Sequence, residues 1–296
     1  MPTEDTQSPQ AEPKQPGSVR LNEPEGTEPL DRYAEQFPQP LSPDELLRLF
    51  REPPLNTDRW IFRGQSRQWP LKPLIERTLP FHIVSVVERQ LVKEFRGRAH
   101  HFMTKVPADD DDIGWLSLMQ QHGAPTRLLD WTVSPYVAAF FALEEPPGEA
   151  PPVIWAINRG ELDAEALRLV QSWNPKVIPH DIHRILRDRH NPFVGPVVVP
   201  VQPRIMNERL TVQKAAFLYA HPTLNWTFEG ALKHLLQRKD PKARWLYKLQ
   251  IAPVGRLQLL NELDRMNVNA ASLFPGLDGF ARSLKTKAQT AHLRWY

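Results

Sequence analysis

The sequence predicts an α+β fold: a single compact domain with a mixed or antiparallel sheet and several helices, behind a disordered N-terminal tail. Three observations predict it. Short runs of β-branched and aromatic residues are interspersed with helical patterns, yet without the strict strand–helix–strand alternation of a parallel sheet. The chain is 41% hydrophobic, with nine Trp and 13 Phe, which gives bulk for one large core. No internal repeat and no compositional break after the tail divides the rest, so residues 40–296 read as one unit.

The tail, residues 1–39, is rich in Pro, Glu, Gln and Ser and poor in large apolar groups. Such a segment buries too little surface to offset its ordering entropy. Structure then starts at Ser42-Pro43-Asp44-Glu45, which reads as a capping Ser, a Pro at the first helical position and a Glu at the capping-box position. Leu46, Leu47, Leu49 and Phe50 supply the apolar face, and Pro53-Pro54 ends it. Trp60-Ile61-Phe62-Arg63 reads as a short strand closed by Gly64. Residues 82–102 carry the longest helical pattern, with Val86, Val87, Leu91 and Phe95 on its apolar face. The acidic run 109–112 reads as a loop and N-cap whose carboxylates complement a helix dipole; it lacks the spacing of a calcium loop. The helix that follows stops at Gly123. Ser134-Pro135 starts another, apolar on nearly every side and therefore buried. Strand-like runs at 153–157, 197–201, 216–219 and 245–251 are mixed with helical patterns near 163–169, 229–236 and 255–266.

Composition excludes several classes. With no Cys, thiol catalysis, thiolate metal sites and disulfides are out. The net charge of +3 and pI near 9.1 are compatible with anionic ligands. No apolar run approaches a membrane span, and the acidic N-terminus lacks a signal-peptide pattern, so the expectation is a cytoplasmic protein without membrane contact.

The chemistry concentrates in Gln121-His122-Gly123-Ala124-Pro125-Thr126-Arg127-Leu128-Leu129-Asp130-Trp131-Thr132-Val133-Ser134-Pro135-Tyr136. It sets charged and hydroxyl groups among apolar ones, where unpaired charges cost several kcal/mol. A polar loop over 121–134 is expected, either as a pinning network or as a pocket wall. Arg63-Gly64-Gln65 adds a planar cation suited to phosphate and a glycine that permits a tight turn or close ligand approach.

Together, Phe62-Arg63-Gly64-Gln65 and the motif from Gln121 to Thr132 resemble the FRG domain family, named for its Phe-Arg-Gly motif. The resemblance continues through Arg204-Ile205, Gln213 and Phe217 to Leu273-Phe274-Pro275-Gly276, and so spans about residues 41–284. This chain departs from the pattern at Gln121, where many members carry a second His, and at Ala215 or Ala216, where a Gly is expected. The family implies little chemistry by itself. A second resemblance is to the ADP-ribosyltransferase fold. It implies, in order, Arg63, then Thr132-Val133-Ser134 leading into Ala138-Ala139-Phe140-Phe141-Ala142, then Glu208 or Gln213.

That resemblance implies NAD as the substrate and, by analogy with such families, a toxin or defence effector as the role.

 Arg63 then serves as a bidentate partner of the pyrophosphate, and Gly64, Gln65, Arg127, Asp130, Thr132 and Ser134 complete the cofactor-binding set. Tyr136 or Trp131 supplies an aromatic wall for the nicotinamide. Glu208 stabilises the oxocarbenium-like state, whereas Gln213 in that position can only orient, which leaves a binding module.

Single residues keep two readings. His122 is a general base or a helix cap. Arg127 and Asp130 are a buried pair or working groups. His100-His101 has no neighbouring ligand set, so no metal site is expected. The basic stretch 233–245 is a phosphate-tracking surface for nucleic acid or a solvated helix face. The alternatives to an enzyme are therefore a nucleotide or nucleic-acid binding module and an interaction scaffold. The sequence leaves the oligomeric state open.

Overall fold

Ser42 opens the first helix as its sequence implies. Its hydroxyl accepts from the Glu45 N–H while the Glu45 carboxylate accepts from the Ser42 N–H at 2.8 Å, a complete capping box on α1 (Pro43–Arg51). The structure is a computed structural model that describes residues 29–178, 195–221, 226–238 and 244–293. Within them the chain is α+β, as expected. Residues 1–28, most of the expected tail, lie outside the described residues. The last part of that expected tail is ordered, because Leu30 buries its side chain beside Trp245 and Leu246 in the core. Strand β1 (Glu35–Gln36) then joins the sheet edge.

The remaining strands are β2 (Trp60–Gln65), β3 (Leu128–Thr132), β4 (Val153–Asn158), β5 (Val198–Val201), β6 (Ala215–Ala220) and β7 (Leu246–Gln250). They form one sheet in the order β1-β7-β4-β2-β3-β6-β5. Only β1 and β7 run parallel; every other pair is antiparallel, so the sheet is mixed. Strand β2 runs on through Gly64 to Gln65 instead of closing there. Strand β3 lies inside the motif that reads as a polar loop. It is buried at every position except Asp130, so it shows no simple alternation of polar and apolar residues.

Period-two alternation sorts the side chains to two faces. On one face Phe62, Ile154, Ala156 and Leu249 meet α1, α5 (Pro135–Leu143) and α9 (Arg256–Arg265). On the other, Ile61, Leu129, Trp131 and Leu218 meet α8 (Phe228–Gln237). A third cluster joins Leu128, Phe217 and Val199 to α3 (Phe81–Ala99), α4 (Asp112–Gln121) and α6 (Arg159–Trp173). Phe62 and Thr132 are register partners, and Leu128 shares a face with Thr132. The first and third clusters therefore occupy the same side of the sheet, as two separate groups of helices.

Helix α3 buries Val84, Glu88, Val92 and Ala99, not Val86, which is exposed. The buried stripe carries a glutamate in its middle, and this displaces it from the purely apolar reading. Asp111 caps α4, and its side chain accepts from the Gly114 N–H at 3.0 Å, in line with the N-cap reading of the acidic run. Gly123 ends that helix with a left-handed φ of 84°. Short helices α2 (Leu74–Thr78), α7 (Glu208–Val212) and α10 (Ala270–Leu273), with the longer α11 (Leu277–Gln289), complete the described chain. Among the described residues no helix is long and apolar enough to cross a membrane.

Candidate functional site

The sheet opens between β2 and β3. These strands share one register pair, Phe62 with Thr132, while β2 and β4 stay paired from Trp60 to Gln65. Beyond that pair the Arg63 side chain spans the opening, and its Nη1 donates to the Asp130 carbonyl oxygen at 2.6 Å. A backbone acceptor that a neighbouring strand would have satisfied is satisfied by a guanidinium. The two helix groups part over the same opening, and a cavity of about 810 Å³ lies between them. That size suits a small-molecule ligand.

Arg63, Gly64, Gln65, Asp130, Thr132 and Gln213 come together in this cleft, although they span much of the chain. Strand β2 supplies the first three, β3 the next two, and the end of α7 the last. Gln65 accepts from the Trp155 indole N–H at 2.9 Å, which fixes its amide. The Thr132 hydroxyl donates to the Gln213 carbonyl at 2.7 Å and accepts from the Ser134 N–H at 3.0 Å. Gln213 donates its amide N–H to the Leu273 carbonyl at 2.9 Å. Its side chain thus ties α7 to α10.

Asp130 holds the centre. Gln120 donates to its carboxylate at 2.6 Å, and Gln120 is itself set by the Thr126 hydroxyl, which donates to it at 2.5 Å. Protein crowds the Asp130 carboxyl and raises its pKa, against the pull of Arg63, Gln120, Arg209 and Arg77. The residue is nevertheless open to water through the cleft, which moderates that effect. Crowding also lowers the pKa of Arg63, opposed by Asp130 and reinforced by Arg77. The Arg63 Nε is buried without a hydrogen-bond partner.

Five cationic side chains line the cleft: Arg63, Lys72, Arg77, Arg209 and Arg282. Three carboxylates face them. Glu144 is taken by Arg282, and Glu145 lies 3.0 Å from Lys285. Asp130 makes no ion pair among the described residues, and neither do Arg77 and Arg209. The balance favours an anion.

Other expected site residues lie elsewhere. Glu208 is exposed at the start of α7, outside the cleft, because α7 turns Arg209 and Leu210 inward instead. His122 is an exposed helix C-cap, also outside it. Arg127 does not pair with Asp130. Its backbone N–H donates to Glu88 at 2.8 Å and its guanidinium to the same carboxylate, so the buried pair is Arg127 with Glu88. Burial disfavours the Arg127 charge, but Glu88, Tyr219 and Glu76 outweigh it and raise its pKa. Ser134 caps α5 through the Val137 N–H. Tyr136 packs edge-on against Phe50 at 5.6 Å, away from the cleft, whereas Trp131 does line it.

Gly64 lies within β2 rather than in a turn, and packing against α5 requires a glycine there. A Cβ there would lie 1.9 Å from the Ala138 carbonyl oxygen of α5. The basic stretch 233–245 is largely neutralised where it is described: Lys233 pairs with Glu229 at 3.1 Å and Arg238 with Glu165 at 2.8 Å. Residues 239–243 lie outside the described residues. No group of three or more His, Asp or Glu placed to hold a metal occurs among the described residues.

Sequence reasoning missed Gln120, Arg77, Arg209, Arg282 and Trp69. Gln120 borders the motif and was one residue from notice. The arginines are scattered over three helices, and no spacing in the chain announces them.

An α+β protein with an arginine-bridged opening in its sheet is the class that fold and site define. A family model for the FRG domain matches residues 58–150. The chain therefore contains an FRG domain, whose matched span carries β2, α2 to α5 and β3 and so both walls of the opening. The match is narrower than the resemblance over residues 41–284. No curated protein and no solved structure matches the chain.

Proposed function

We propose that this cleft binds a phosphorylated, nucleotide-like ligand of the NAD class. The observation that carries the reading is the convergence of Arg63, Arg77 and Arg209 on one open cleft in which Asp130 is the only carboxylate without an ion pair among the described residues. Guanidinium forks suit phosphoryl oxygens. An exposed Trp69 at the rim offers a stacking surface for a base or nicotinamide.

Catalysis on that ligand is the finer part of the proposal. Cleavage of the nicotinamide–ribose bond builds positive charge on the sugar, which a carboxylate stabilises electrostatically. Asp130 takes this role in place of Glu208, which lies outside the cleft. A non-catalytic binding module is the second reading, favoured by Gln213, whose amide is committed to Leu273.

The test is thermal stability of the protein with NAD, ADP-ribose, ATP and nucleoside monophosphates. Ligand at about one hundred times its Kd adds roughly 2.7 kcal/mol. Arg63→Ala should cut the shift to about 0.3–1.3 kcal/mol, at a cost of about 1.5–3 kcal/mol in binding. Asp130→Asn should keep or strengthen binding, since it removes a negative charge from an anion site. Nicotinamide release by the wild type that Asp130→Asn loses supports the enzyme. Binding without release leaves the module. No shift with any nucleotide rejects both.

A further inference from the structure

One corner of the cleft is built differently from the rest. Phe274 follows α10, and two guanidiniums lie over its ring, Arg282 at 4.2 Å and Arg209 at 4.9 Å from the centroid. Phe141 meets the same ring edge-on at 6.0 Å. The two arginines are not equivalent. Arg282 donates through Nε and Nη2 to the two oxygens of Glu144, which is 6% exposed, so its charge is compensated and its plane is fixed. Arg209 has no carboxylate partner among the described residues. It is exposed and lies over the Phe274 ring.

A cation laid on an aromatic ring keeps its edge donors and its outer face for a ligand. Phe274, Phe141 and the Arg282–Glu144 pair form a stiff support beneath Arg209. Arg63 and Arg77 come from β2 and α2, different elements from the α7 that carries Arg209. The cleft thus has two cationic groups on separate elements.

We infer that Arg209, supported by Phe274, is a second anion subsite that makes the cleft select a nucleoside diphosphate or dinucleotide over a nucleoside monophosphate. A single phosphate satisfies the Arg63 group alone. A pyrophosphate carries a second charged group that Arg209 engages, and the planar guanidinium adds a stacking face for the attached sugar or base. This inference rests on the cleft reading proposed above.

Calorimetric titration of ADP-ribose and AMP into the full chain tests it. Arg209→Ala should weaken ADP-ribose at least tenfold and AMP less than twofold. Arg209→Lys, which keeps the charge but not the planar stack, should fall between Arg209→Ala and wild type for ADP-ribose. Phe274→Leu should weaken ADP-ribose several-fold, and Arg63→Ala should weaken both ligands. Equal losses for both ligands in Arg209→Ala, or no loss in either, overturn the subsite while the cleft reading stands. Wild-type protein that binds neither ligand overturns the cleft reading and the subsite with it.

Discussion

Arg127 and Glu88 each keep about 7% of their side-chain surface exposed, and each is the other's compensation. Removing one partner from such a pair leaves a buried charge. Arg127→Ala or Glu88→Ala should therefore cost about 3–5 kcal/mol, read as a lower urea midpoint with an unchanged slope. Glu76 behaves in the opposite sense. Burial pushes its carboxyl up to about 7, although the Phe228 N–H donates to one oxygen at 2.8 Å and Lys72 and Arg127 lie near. Its other oxygen is buried without a partner. The folded protein holds this proton more tightly than the unfolded chain, so ionising Glu76 lowers stability. The loss develops as pH rises from about 4.5 to about 7 and is complete above it. Glu76→Gln should thus raise stability by roughly 1–3 kcal/mol at pH 8 and change little at pH 4. Chemical denaturation at the two pH values checks this; an equal effect at both would show that burial is not the cause.

At the scale of elements, the contact between β2 and α5 decides whether the cleft keeps its shape. Their backbones approach so closely at Gly64 that any side chain meets helix backbone, which cannot rotate away. Gly64→Ala should destabilise the protein by about 1–3 kcal/mol or more, visible as a lower Tm. Gly148→Ala is a suitable comparison, since its nearest neighbour there is the flexible Arg67 at an ordinary 3.6 Å. The helix starts at Ser42 and Ser134 were legible in the sequence, because a cap is a local arrangement of a few residues. Strand β3 was not, because burial on both faces erases the alternation that identifies a strand. Glu88 escaped for a similar reason: a charge in a helix suggests the solvent side until its partner, 39 residues away, is known.

At the scale of the whole molecule, the sheet is closed at one edge by residues that composition assigns to the tail. Lys248 is buried, and its ammonium meets Asp31 at 2.6 Å and Gln68 at 2.9 Å. A chain beginning at residue 40 loses Asp31, Leu30 and β1 together. It should melt roughly 5–10 °C below one beginning at residue 29, and equal Tm values would show that the edge is dispensable. The sequence by itself determined the fold class, the helix caps, most strands and the FRG motif, since all of these rest on neighbours in the chain. It also marked Arg63, Asp130, Thr132 and Gln213. What it left undetermined is which marked groups share a site. Only the tertiary structure separated Arg127, buried against Glu88, from Asp130, three residues on, which opens to the cleft. Only it collected Arg77, Arg209, Phe274 and Arg282, because a pocket between layers is made by surfaces that meet in space and leaves no periodicity along the chain.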